Sequence, residues 1–129
     1  MDYYLNWKKY WNKKSTYGPL ASTGRSGSSI SDLYLYLNST INSLGGISEK
    51  DTILDAGGGA GYISMILSPF VKKIYLCDYS KKMIQKASKN RSSYKNIEAY
   101  IDDIIFLKNP RKKKINLSTP LLIIKNFLL

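Results

Sequence analysis

Ile53-Leu54-Asp55-Ala56-Gly57-Gly58-Gly59-Ala60-Gly61 is the stretch on which the fold turns. Its first half, with Thr52, is a short apolar run after the polar turn Ser48-Glu49-Lys50-Asp51, and it reads as a buried strand. Glycines at 57, 59 and 61 then let the backbone bend sharply and let a ligand approach with no Cβ in the way. A bend of this kind opening into a helix also presents free N–H groups and the positive end of the helix dipole.

Downstream, a helix is expected from near Gly61, with Ile63, Ile66 and Leu67 inward and Pro69 ending it. Val71 to Cys77 reads as a second strand closed by Asp78. Ser80 is placed to cap a further helix, in which Met83, Ile84 and Ala87 share a face while Lys81, Lys82, Lys86 and Lys89 face water. Asn96 to Tyr100 is a third strand, followed by Asp102-Asp103. Strand, helix, strand, helix, strand is the mononucleotide-binding unit of a parallel α/β sheet.

Upstream, Leu33, Leu37, Ile41 and Leu44 form one apolar stripe of a helix, with Ser31 as the expected N-cap, Asp32 suited to its first turn and Gly45-Gly46 as its stop. Residues 1–14 place Trp7, Tyr10 and Trp11 at helical spacing, and the Ser/Thr/Gly-rich stretch from Ser15 to Ser29 reads as a loop. The chain thus divides into a helical N-terminal cap with its Ser/Gly loop, residues 1–46, and a Rossmann-like domain, residues 47–129.

The glycine stretch resembles the first motif of the class I S-adenosylmethionine-dependent methyltransferases, Asp-x-Gly-x-Gly-x-Gly, with Asp55, Gly57, Gly59 and Gly61 at its four positions. The nearest competitor, the dinucleotide pattern G-x-G-x-x-G, fails because Tyr62 stands at its last glycine. The resemblance implies that the loop packs on the methionine part of S-adenosyl-L-methionine and that Asp55 helps hold its amino group. It implies that Asp78 accepts hydrogen bonds from the ribose hydroxyls, a vicinal diol matched to a fixed carboxylate. Tyr79 would pack on the adenine, and one of Asp102 and Asp103 would hold the adenine amino group, with the spacing from Asn96 favouring Asp102. Arg25 reaches either solvent or an anionic group of a ligand.

Composition bounds the alternatives. The 129 residues carry a formal charge of +11 with no histidine, so the usual general base is missing and no Ser/His/Asp set or metal cluster is legible. The excess of lysine allows nucleic acid as a partner, through Arg111-Lys112-Lys113-Lys114 above all, although compositional bias alone also produces it and no nucleic-acid motif accompanies it. Lone Cys77 and the lack of a secretion-type N-terminus fit a cytoplasmic protein, and no run of about 18 apolar residues suggests a membrane span.

The resemblance read from these motifs covers roughly residues 50 to 105. A fourth strand is expected to begin at Lys112-Lys113-Lys114-Ile115-Asn116-Leu117, yet Ser118 to Leu129 is a proline-interrupted apolar tail, as if a reading frame were lost near Lys114. On that reading the α/β fold is incomplete, with its first three to four strands and a sheet edge left uncovered and open to association. The functional expectation is a methyltransferase acting on a small-molecule acceptor, with catalytic competence doubtful. A basic nucleic-acid-binding module and an inactive truncated remnant are the alternatives.

Overall fold

The computed structural model describes residues 9, 10, 12, 13, 16, 29–102 and 122–125. Helix α1 spans Ile30–Ser43 and presents Leu33 and Leu37 to the core, with Ile41 and Leu44 packed at its margin. Its cap is Ser29, two residues before the serine expected from the sequence. The Ser29 hydroxyl accepts from the Asp32 N–H at 3.1 Å and the Asp32 carboxylate accepts from the Ser29 N–H at 2.9 Å. Only Ser29 has an acid three residues on to close this reciprocal box; Ser31 has Tyr34 there.

Strand β1 is Thr52–Ala56, helix α2 Tyr62–Leu67, strand β2 Lys73–Asp78, helix α3 Lys81–Asn90 and strand β3 Ile97–Ile101. A 3-10 turn over Ser68–Phe70 comes after α2, with Pro69 in its first positions, where a missing N–H costs nothing. Ser80 caps α3 by accepting from the Met83 N–H, and Met83, Ile84 and Ala87 are buried as the periodicity predicts. β1 pairs β2 and β2 pairs β3, both parallel, with Asp55 opposite Leu76 and Asp78 opposite Ile101.

Ile53, Leu54, Asp55 and Ala56 are all buried. Successive side chains of a strand point to opposite faces, so an unbroken buried run requires a sheet covered on both. Ile53, Ile74, Leu76 and Ile97 of the strands meet Leu33 and Leu37 of α1, Ile63 and Leu67 of α2, and Ile84 and Ala87 of α3 in one core.

The segment read as an apolar tail supplies a fourth strand. β4, Leu122–Lys125, lies on the other side of β1, giving the order β3-β2-β1-β4. It runs antiparallel, with Leu122 opposite Ala56 and Lys125 opposite Ile53. The edge of β1 is therefore paired. Among the described residues no strand lies beyond β3. Residues 112–117, where the fourth strand was expected, fall outside the described residues.

Candidate functional site

Three parallel strands end side by side, and the segments leaving those ends form the site. After β1 the chain folds back over the end of β2: the N–H groups of Gly57 and Gly58 both donate to the Cys77 carbonyl, at 2.8 and 3.1 Å. Gly57, Gly59 and Gly61 take φ values of 73°, 57° and 85°, in the left-handed region that a side chain disfavours. Gly58 is needed for a different reason. A Cβ there would stand 2.7 Å from the Asp55 Oδ2 and 2.9 Å from the Leu76 Cγ, so the carboxylate fills the place of the missing side chain. The sequence pattern treats Gly58 as an arbitrary residue and missed this.

Asp55 lies beneath that loop, fully buried. Its Oδ2 accepts from the Ser64 hydroxyl at 2.7 Å, while Oδ1 is buried and has no partner. Burial pushes the carboxyl up to about 6; the Ser64 hydrogen bond opposes the rise and the charge of nearby Asp78 adds to it. Ser64 went unrecognised in the sequence. Its one signal there is position: a serine beside Ile63 on the inward face of a short helix.

Asp78 ends β2 and is aimed at the bend. Its Oδ2 accepts from the Gly59 N–H at 3.0 Å and its Oδ1 from the Ser80 N–H at 2.8 Å, so the carboxylate ties the glycine loop to the start of α3. Tyr79, next in the chain, is half-buried. Asp102 comes directly after β3, buried, and its N–H donates to the Asp78 carbonyl at 3.1 Å. Asp103 and Arg25 fall outside the described residues.

Within this cluster burial raises the Cys77 thiol to about 12, with the charges of Asp55 and Asp102 adding to the rise, so the thiol is inert near neutrality. A chain with 20 basic and nine acidic residues thus gathers Asp55, Asp78 and Asp102 at one end of its sheet. That inversion of the overall charge suits a ligand with positive charge. Among the described residues no group of His, Cys, Asp or Glu is arranged to hold a metal, and no helix is long and apolar enough to cross a membrane.

Asn12 also reaches this place. The buried Ser80 hydroxyl donates to the Asn12 Oδ1 across 68 residues of sequence. Nothing in the local pattern around Asn12 announces this contact.

Residues 47–126 match the family model described as a methyltransferase domain, which reaches well past the motifs that carried the resemblance. A protein-L-isoaspartate O-methyltransferase of Cereibacter sphaeroides is 30% identical over 59 residues, 44% of this chain and 27% of that protein. The chain therefore spans about a quarter of the length of that relative. Among solved structures, a Haemonchus contortus phosphoethanolamine N-methyltransferase 1, in complex with phosphoethanolamine and S-adenosylhomocysteine, aligns with a TM-score of 0.58 at 22% identity, over 77% of this chain and 21% of that one. The DhpI–SAM–HEP complex aligns with a TM-score of 0.54 at 18% identity, over 80% of this chain and 45% of that one. These two likenesses establish the fold.

Proposed function

The chain belongs to the methyltransferase-domain family, and from that premise we propose that it binds S-adenosyl-L-methionine at the glycine bend and serves methyl transfer to a small-molecule acceptor. The observation that carries this reading is that Asp55 and Asp78 both meet the glycine bend, with Asp102 buried beside Asp78 at the same end of the sheet. The cofactor carries a sulfonium and an ammonium, two ribose hydroxyls and an adenine amino group, and this donor-rich surface needs acceptors. Asp55 offers a buried oxygen without a partner, which suits the ammonium directly or through one water. Asp78 presents a carboxylate held rigid by two backbone donors, which suits the paired hydroxyls. In this reading Tyr79 and Asp102 take the adenine, the first by stacking and the second through its carboxylate.

When bound, the cofactor supplies an electrophilic methyl group on sulfur. The contribution of these residues is to bind and orient it, so that proximity does the work for an acceptor delivered in line. The aromatic N-terminal sequence resembles the variable cap of small-molecule members of the family, which favours a small molecule as that acceptor. Calorimetry with S-adenosyl-L-methionine and with its demethylated product tests the reading: a saturable heat is expected from each, and a folded sample that gives none removes it.

The exposed Lys81, Lys82 and Lys89 on the solvent side of α3 favour nucleic acid as a second reading. A gel shift at two salt concentrations decides it, because binding carried by phosphate contacts alone collapses as salt rises.

A further inference from the structure

We propose that Asn12 is a positioning residue for the cofactor pocket, coupling the N-terminal segment to Asp78 through Ser80; this inference rests on the cofactor-binding reading above. Ser80 holds three things at once. Its N–H donates to the Asp78 Oδ1, its hydroxyl oxygen accepts from the Met83 N–H at 3.2 Å to start α3, and its hydroxyl proton goes to the Asn12 Oδ1. A hydroxyl has one proton to give, and Ser80 is fully buried. With Asn12 in place that proton is satisfied and the Ser80 backbone is fixed from both sides, which fixes the N–H that orients Asp78. With Asn12 withdrawn, the buried donor loses its acceptor and the turn Asp78-Tyr79-Ser80 is free to adjust.

A ligand seated on Asp78 and the N-terminal segment seated on Ser80 therefore favour the same geometry of one turn. Two events that favour one state must favour each other, to equal extents. Cofactor binding tightens the docking of the segment, and docking tightens the cofactor.

The sequence supplies its own reporter. Its two tryptophans, Trp7 and Trp11, both belong to the segment that carries Asn12. The full chain is titrated with S-adenosyl-L-methionine, monitored by calorimetry and by tryptophan emission, as wild type, Asn12→Ala, Ser80→Ala and the double variant. Wild type is expected to bind with a change in emission. Asn12→Ala is expected to weaken binding by about three- to tenfold, the worth of one hydrogen bond, and to abolish the emission change. In the Ser80→Ala background Asn12→Ala should cost less affinity than it costs in wild type, since the bond between them is already gone. Should Asn12→Ala fail to fold, Ser80→Ala alone must show the loss of the emission change. Wild-type binding with an unaltered Asn12→Ala affinity, or with independent effects of the two substitutions, overturns the coupling and leaves the cofactor reading standing. A folded wild type that takes up no cofactor overturns both.

Discussion

The two flanks of β1 are built differently. On one side β2 and β3 run parallel to it, so the three chain ends, with Asp78, Asp102 and the glycine bend, open at the same end of the sheet. On the other side β4 runs antiparallel, so its last residue, Lys125, lies beside Ile53, at the far end from the bend. Parallel strands concentrate chemistry because each ends where its neighbours end. An antiparallel strand covers an edge equally well and carries its own end away. The first flank thus gathers the carboxylates at one end, whereas the second pairs the remaining edge of β1.

This contrast can be broken at the carboxylates first. Asp78→Ala removes the acceptor for the Gly59 and Ser80 N–H groups together with the proposed diol contact. At about 1.5 kcal/mol for each of two charge-assisted hydrogen bonds, cofactor affinity should fall by about 100-fold in calorimetry. An affinity that holds within a few fold places the ribose elsewhere.

Next comes the loop itself. Gly58→Ala drives a methyl into the Asp55 carboxylate and Leu76, neither of which can withdraw from a packed core. Urea unfolding should show a loss of about 1–3 kcal/mol. Tolerance of alanine there would mean that Asp55 is free to move.

Asp55→Asn sharpens the comparison in a different way, by separating stability from function. The carboxyl sits near 6 in the folded chain against an ordinary 3.8, so the folded state holds the proton more tightly than the unfolded. The penalty of burying its charge is absent below about pH 4, grows as pH rises through the interval to about 6, and is complete above it. Unfolding measured from pH 4 to 8 should show Asp55→Asn gaining on wild type by on the order of 2–3 kcal/mol across that window. Affinity behaves oppositely. A cationic ligand prefers the ionised carboxylate, so wild-type binding should weaken as pH falls below about 6, and Asp55→Asn should bind weakly at every pH.

The smallest effect on the ligand is expected from the β4 flank. Of two successive strand residues one directs its N–H at the neighbouring strand, so Ile123→Pro with Ile124→Pro must delete a bond to β1. The melting temperature should drop while cofactor affinity, measured below that temperature, changes by less than about twofold. A large loss of affinity would show that the closing flank shapes the site after all.

Much of the fold was legible because its signals are local. The apolar spacing of Leu33 and Leu37, the cap at Ser80, the stop at Pro69 and the glycine bend each depend on residues within a turn or two of one another. The displaced cap of α1 is instructive. The acid three residues beyond Ser29 makes it the cap, and Ser31 has no acid at that spacing. Asp78 and Asp102 were legible at the ends of strands and Asp55 as the acid of the glycine motif; that all three are buried together was not. Gly58 and Ser64 were missed because the reason for each is the Asp55 side chain, reached across the loop and by nine residues of chain respectively.

By itself, then, the sequence determined the alternation of strands and helices, the bend and the acids at the strand ends, since helical period, capping and glycine conformations are set by near neighbours. Tertiary structure alone decided the direction of β4 and the meeting of Asn12 with Ser80. Both are contacts between distant segments, and a strand edge or a buried hydroxyl accepts whichever partner the assembled core brings to it. No local pattern records that choice, because the free energy that makes it appears only when the surfaces are in place.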